Sequence, residues 1–235
     1  MSAYSPGFRV KEKLQMDLKA LALQGPINIV ILGDSVSHGA FNDYYDYEHV
    51  YWHRLQKMLN KAQDTVPVNM INAAIAGTTA KASLARLDKQ VFCHQPDLVI
   101  VCFGLNDVNG ELQDYLDALA RIFSRCREEK CDLIFMTPNM LNTYVAEDAP
   151  EKYRDYAAVT AGMQNSGRMD EFMNAAVRLA KEMNVTVCDC YQEWKKLSET
   201  KDVTMLLSNR INHPTEEMHQ LFADKLFEII MAEAE

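Results

Sequence analysis

The sequence predicts an α/β fold with a parallel sheet covered on both faces, and three observations support it. Short, uninterrupted apolar runs recur along the chain, segments of helical period separate them, and polar or glycine-bearing turns follow the runs directly. Strands buried on both faces read as continuous apolar runs rather than as alternation. Strand alternating with helix then closes into a parallel sheet through right-handed crossovers.

Taken in order, residues 1–25 read as a helical extension, with a helix around Val10–Leu23 packing ahead of the first strand. The runs Ile27–Leu32, Val66–Ile71, Leu98–Phe103, Leu133–Thr137 and Val185–Cys188 are the five predicted strands, the second being the weakest. Three segments carry one apolar helical face: Leu112 to Cys126, Phe172 to Met183 and Met218 to Ile230. Shorter helices are predicted near Glu48–Lys61 and Lys81–Lys89. Residues 139–168 form the main irregular stretch. They hold Pro150, Gly162 and Gly167, with a short helix near Glu151–Val159. An excursion of that length at a strand's carboxyl end is either a lid or substrate loop or a plain surface insertion. No repeat or low-complexity linker divides the chain, so residues 1–235 read as one domain.

Bulk properties narrow the function. An apolar fraction of 48% supplies a full core, and a net charge of −9 predicts neither a nucleic-acid nor an anionic-membrane partner. The opening residues lack a basic stretch followed by an apolar one, and no apolar run is long enough to span a bilayer. The six cysteines, most of them in apolar segments (Cys93, Cys102, Cys188, Cys190), read as reduced core thiols, and the expected location is cytoplasmic.

In parallel sheets ligands bind beyond the carboxyl ends of the strands, which directs attention to the turns. Gly33-Asp34-Ser35 follows the first run. It offers either a helix N-cap or a serine hydroxyl presented at a strand-to-helix turn, where it would need a neighbouring base. Gly77 follows the second run and could turn its N–H toward a site or simply make a turn. Gly104-Leu105-Asn106-Asp107 follows the third; its asparagine could donate to a developing oxyanion or form a cap. Asn212-His213-Pro214 precedes the last helix and puts a histidine on a loop at the same rim.

In this order and on these edges, the chain from about Ile27 to Glu235 resembles the SGNH hydrolase superfamily, the GDSL-type esterases and lipases. The four family letters fall on Ser35, Gly77, Asn106 and His213. The resemblance implies a three-layer αβα sandwich of flavodoxin-like architecture with its site at the carboxyl edge. It also implies Ser35 as nucleophile and His213 as general base, an oxyanion hole of the Ser35 N–H, the Gly77 N–H and the Asn106 side chain, and an acyl-serine intermediate resolved by water. It implies no metal and no organic cofactor, and a small-molecule ester as partner. The family includes many sugar deacetylases, so short acyl esters, acetyl on carbohydrates first, are the expected substrates. Lysophospholipid or thioester cleavage and a non-catalytic binding protein on the same scaffold are the alternatives. A flavodoxin-like nucleotide binder would need a phosphate loop, and no such pattern is completed.

The chain departs from the family pattern at one position. The usual aspartate three residues before the histidine is Arg210 here, with Asn209 before it. Either a backbone carbonyl, of Ser208 or Asn209, orients His213, or a carboxylate from elsewhere does (Asp189, Glu193 or Asp202), or the site is a weak or dead hydrolase. Asp34, Asn209, Arg210 and Asp189 are thus the supporting candidates. Arg210 reads as a solvated surface residue or as a contact for an anionic substrate group. His38 and Phe41 either line the entrance or pack under the first helix. His49 and His53 have metal-ligand spacing but lack the rest of a zinc motif. Cys188 and Cys190 are expected on one face of a strand.

Overall fold

The computed structural model describes residues 8–232. Five parallel strands form one sheet: β1 (Ile27–Gly33), β2 (Val68–Asn72), β3 (Leu98–Cys102), β4 (Asp132–Met136) and β5 (Thr186–Cys188). Each lies within two residues of its predicted run. Their order is β2-β1-β3-β4-β5, with Ile31 paired to Asn72 on one side and to Ile100 on the other. The chain therefore reverses its winding direction at β1, and the crevice between the carboxyl ends of β1 and β3 is the expected ligand position.

The helices, in chain order, are α1 (Arg9–Leu14), α2 (Leu18–Gln24), α3 (Ser35–His38), α4 (Tyr51–Ala62), α5 (Ala80–Ser83), α6 (Leu87–Gln90), α7 (Leu112–Glu128), α8 (Arg154–Asn165), α9 (Arg168–Glu182), α10 (Cys190–Ser198) and α11 (Glu216–Met231). On one face α11 packs beside α4, α1 and α10; on the other α7 packs beside α5 and α9, with α8 against α9. All of β3 and all but Asn28 of β1 are buried, as a strand covered on both faces must be.

Several predicted elements differ. The N-terminal segment is two short helices rather than one, because the Asp17 carboxylate accepts the Ala20 N–H and starts a new helix there; residues 1–7 of the predicted extension lie outside the described residues. The segment predicted at Lys81–Lys89 is broken by a 3₁₀ turn at Leu84–Arg86. Cys190 opens α10 rather than continuing the strand of Cys188, and the two buried sulfurs stand 3.6 Å apart. All six cysteines are unpaired, and Cys93 is exposed rather than in the core. The start of the irregular segment, residues 139–142, is buried. Asn139 Nδ2 donates to Asn212 O at 2.8 Å, Asn142 N to Ile211 O at 2.9 Å, and Leu141 N to Gln164 Oε1 at 2.9 Å. It thus braces the loop that carries His213. No helix of the described residues is long and apolar enough to cross a membrane.

Candidate active site

Ser35 is the first residue of α3, and Asp34 caps that helix, its Oδ1 accepting the Val36 N–H at 3.1 Å. The turn is tight. A Cβ on Gly33 would stand 2.7 Å from Cys102 O and 2.5 Å from Ser37 Oγ, so only glycine lets α3 fold back over the β1–β3 pair. Helix α4 anchors α3 from behind: Trp52 Nε1 donates to Ser37 O at 2.8 Å, and the Ser37 and Tyr51 hydroxyls share a buried bond of 2.9 Å. The nucleophile candidate therefore sits on an element anchored from behind, and it is itself buried.

The histidine comes from the loop before α11. Asn209 Oδ1 accepts the N–H groups of Ile211, Asn212 and His213 at 3.0, 2.9 and 2.9 Å. Ser208 N donates to His213 O at 2.7 Å. A single side-chain oxygen thus folds the loop and aims the ring, and His213 Nε2 lies 2.9 Å from Ser35 Oγ. The other ring nitrogen meets the main-chain carbonyl of Phe41. A carbonyl only accepts, so Nδ1 carries the proton and Nε2 presents its lone pair to the serine hydroxyl, the tautomer a general base requires.

This arrangement corrects the expected supports of His213. The orienting carbonyl belongs to Phe41, not to Ser208 or Asn209; Asn209 acts instead through its side chain. Asp189 caps α10, accepting Gln192 N at 3.2 Å and the Thr137 hydroxyl at 2.9 Å. Glu193 pairs with Lys196, and Asp202 accepts the Tyr144 hydroxyl and the Thr204 N–H. Arg210 is not freely solvated: its guanidinium pairs with Asp148 at 3.0 Å and donates to Leu207 O at 2.7 Å, and its backbone is left-handed at φ +59°. Asp34 shapes the α3 turn rather than touching the imidazole.

The Phe41 carbonyl leaves no mark in the sequence. Residues 39–50 fold back on themselves through an Ala40–Tyr45 bridge and a 2.8 Å bond from Asp46 N to Gly39 O. The Phe41 ring is buried against His219 of α11, centroids 4.9 Å apart. Burial pushes the His219 imidazole down to about 3, so it is a neutral packing group.

The loops that carry the oxyanion candidates are bonded to one another and to the end of β1. The loop after β2 continues alongside β1, with Ala73 N on Ile31 O and Ile75 N on Gly33 O. Gly77 then turns at φ +76°, and its N–H, like that of Ser35, makes no hydrogen bond among the described residues. Asn106 Nδ2 donates one hydrogen to Thr78 O at 3.1 Å, which orients the amide and leaves its second hydrogen. Gly104, two residues before Asn106, turns the chain at φ +145°, a conformation that favours glycine. Asp107 Oδ1 accepts Ala80 N at 2.9 Å and closes the loop.

The electrostatics fit a base at work near neutrality. Burial raises the Asp34 carboxyl to about 7, with the charge of Asp107 adding to it, and raises Asp107 to about 6. Each has one buried oxygen without a partner among the described residues. For His213, burial lowers the pKa below 6.5 and the Phe41 bond partly offsets this. A general base must be neutral, so a lowered pKa moves the acid limb of the rate profile to lower pH. We predict that kcat/KM for a neutral ester falls with a midpoint below pH 6.5. A limb at or above pH 7 would exclude a base without a carboxylate partner. As to metals, among the described residues Asp46, His49 and Glu216 bring ligand atoms within 4.8 Å of one another. His49 Nδ1 is already bonded to Asp46 at 2.6 Å.

The fold has counterparts among known proteins. The GDSL-like lipase/acylhydrolase family matches residues 31–221. Among solved structures, Axe2, an acetylxylan esterase from Geobacillus stearothermophilus, superposes with a TM-score of 0.69 at 19% identity, covering 88% of this chain and 95% of that one. The acetyl xylan esterase AlAXEase superposes with a TM-score of 0.67 at 19% identity, covering 87% and 100%. No curated protein matches the chain in sequence. With residues 31–221 matched and the sheet order found, the chain belongs to the GDSL-like lipase/acylhydrolase family, the SGNH hydrolases, and is a carboxylic ester hydrolase of that type.

Proposed function

We propose that the protein cleaves short acyl esters, acetyl groups on carbohydrates first, through a Ser35–His213 dyad steered by the Phe41 carbonyl. The observation that carries this reading is the 2.9 Å bond from Ser35 Oγ to His213 Nε2, together with two main-chain N–H groups that make no bond among the described residues and a half-committed asparagine amide. Ser35 Oγ attacks the ester carbonyl while His213 takes its proton. The tetrahedral oxyanion is held by the N–H groups of Ser35 and Gly77 and by Asn106 Nδ2. His213 then protonates the leaving alkoxide, and water releases the acyl-serine by the same steps in reverse.

The substrate class is supported from two sides. Both superposed structures are of acetylxylan esterases. In this chain, the loop that supplies the Phe41 carbonyl also carries Tyr44, Tyr45 and Tyr47, each about half exposed. Aromatic faces with polar tips suit sugar rings, and Asp43, Asp46 and Glu48 on the same loop disfavour phosphate-bearing alcohols.

The test is a series of p-nitrophenyl esters of rising chain length beside an acetylated xylo-oligosaccharide. Activity is expected to fall from acetate to octanoate. Tyr45→Ala is expected to raise KM for the oligosaccharide about three- to tenfold, with p-nitrophenyl acetate little changed. A preference for octanoyl esters or lysophospholipids would overturn the substrate class.

A further inference from the structure

Catalysis of the kind proposed depends on where the Gly77 N–H points, and Gly77 has little to hold it. It is exposed, sits at φ +76°, and has no heavy atom within 4 Å of the place a Cβ would occupy. Packing therefore does not fix this turn. The bonds that do are few. Thr78 N and the Thr78 hydroxyl both return to Ile75 O, at 3.2 and 2.7 Å, within the turn; after Gly77, the Thr78 hydroxyl also reaches Gly33 O at 3.4 Å and Thr78 O accepts Asn106 Nδ2 at 3.1 Å. The residue preceding Gly77 is held from outside: Ala76 N donates to His38 Nδ1 at 3.1 Å.

His38 is the last residue of α3, the helix that begins with Ser35. Its own backbone is fixed at both ends: His38 N donates to Asp34 O at 2.8 Å, and Asn72 Nδ2 donates to His38 O at 3.2 Å. The ring is flanked by Tyr45 and Tyr47, with centroids 4.6 and 6.2 Å away. An imidazole nitrogen accepts a backbone N–H only as a bare lone pair, so the ring must be neutral with its proton on Nε2. Its partial burial, which lowers the pKa, favours that form.

We propose that His38 is a positioning residue for ester cleavage: it accepts the Ala76 N–H and so fixes the oxyanion-binding Gly77 N–H at a set distance from Ser35, one helical turn away. The proposal rests on the esterase reading above. Its effect would fall on the transition state, where the oxyanion exists, rather than on substrate binding.

The test uses His38→Ala and His38→Asn, the asparagine Oδ1 standing close to where Nδ1 stood. His38→Ala is expected to lower kcat about 10- to 100-fold with KM changed less than threefold, and His38→Asn to recover most of the loss. Amide hydrogen exchange at Ala76 supplies a readout independent of turnover: slow in the wild type and in His38→Asn, fast in His38→Ala. Retained kcat in His38→Ala overturns the proposal, as does a loss shared equally by KM, or a folded His38→Asn as impaired as the alanine variant. Should the wild type cleave no ester and Ser35 resist a fluorophosphonate, the esterase reading fails on its own. Equal Ala76 exchange in wild type and His38→Ala would then refute the His38 contact separately.

Discussion

Ser35→Ala is expected to lower kcat for p-nitrophenyl acetate by about 10⁴- to 10⁶-fold while leaving the protein folded. The structure explains both halves of that expectation. Among the described residues the one side-chain bond Ser35 makes is to His213 Nε2 at 2.9 Å, whereas its carbonyl still accepts Gly39 N and Ala40 N at 3.1 and 2.9 Å after the change. Alanine is also a better helix former than serine, so the thermal midpoint should move by only a few degrees. His213→Ala should cost a similar factor, because a serine hydroxyl without a base is a poor nucleophile. Its loop would persist, since Asn209 Oδ1 bonds main-chain N–H groups that alanine retains. The double variant should be no worse than either single one, as residues acting as a unit are not additive. Activity within tenfold of wild type in either variant would mean that another group carries the chemistry.

Asn106→Ala is expected to lower kcat by about 100- to 1,000-fold with KM nearly unchanged. Its amide is fixed by donation to Thr78 O at 3.1 Å, and the remaining hydrogen is the proposed donor to an oxyanion that the bound ester does not yet bear. Loss of the Thr78 bond should cost about 1 kcal/mol of stability, too little to unfold the chain. The Asn106 carbonyl keeps its partners, the N–H and side-chain amide of Asn109 at 3.2 and 3.0 Å, so the turn after β3 should hold. Asn106→Asp would be worse than alanine, because it sets a negative charge where another must form. A loss smaller than about fivefold in Asn106→Ala would remove this residue from the oxyanion site.

The five apolar runs located every strand among the described residues; β1 and β3, buried along nearly their whole length, had to be apolar at nearly every position, whereas the edge strand β2 is only partly buried and gave the weakest run. The long helices were equally legible, since α7, α9 and α11 each bury one stripe against the sheet or its neighbours. Short elements were not. The breaks at Asp17 and at Leu84–Arg86 depend on a single cap or one tight turn, and periodicity averages over such features. Helix α10 went unseen because its nine residues follow directly on β5, and Cys188 and Cys190 read as one apolar strand.

The same division runs through the site. By itself the sequence determined the fold class and the residue types waiting at the strand ends: Ser35, Gly77, Asn106 and His213 each carry a side chain or a backbone freedom that marks them. It also showed that the usual aspartate is missing at Arg210. What replaces that aspartate was decided only by tertiary structure. A main-chain carbonyl belongs to every residue and leaves no mark in sequence. Phe41 reaches His213, 172 positions away, because residues 39–50 fold back on themselves and the Phe41 ring is buried against His219.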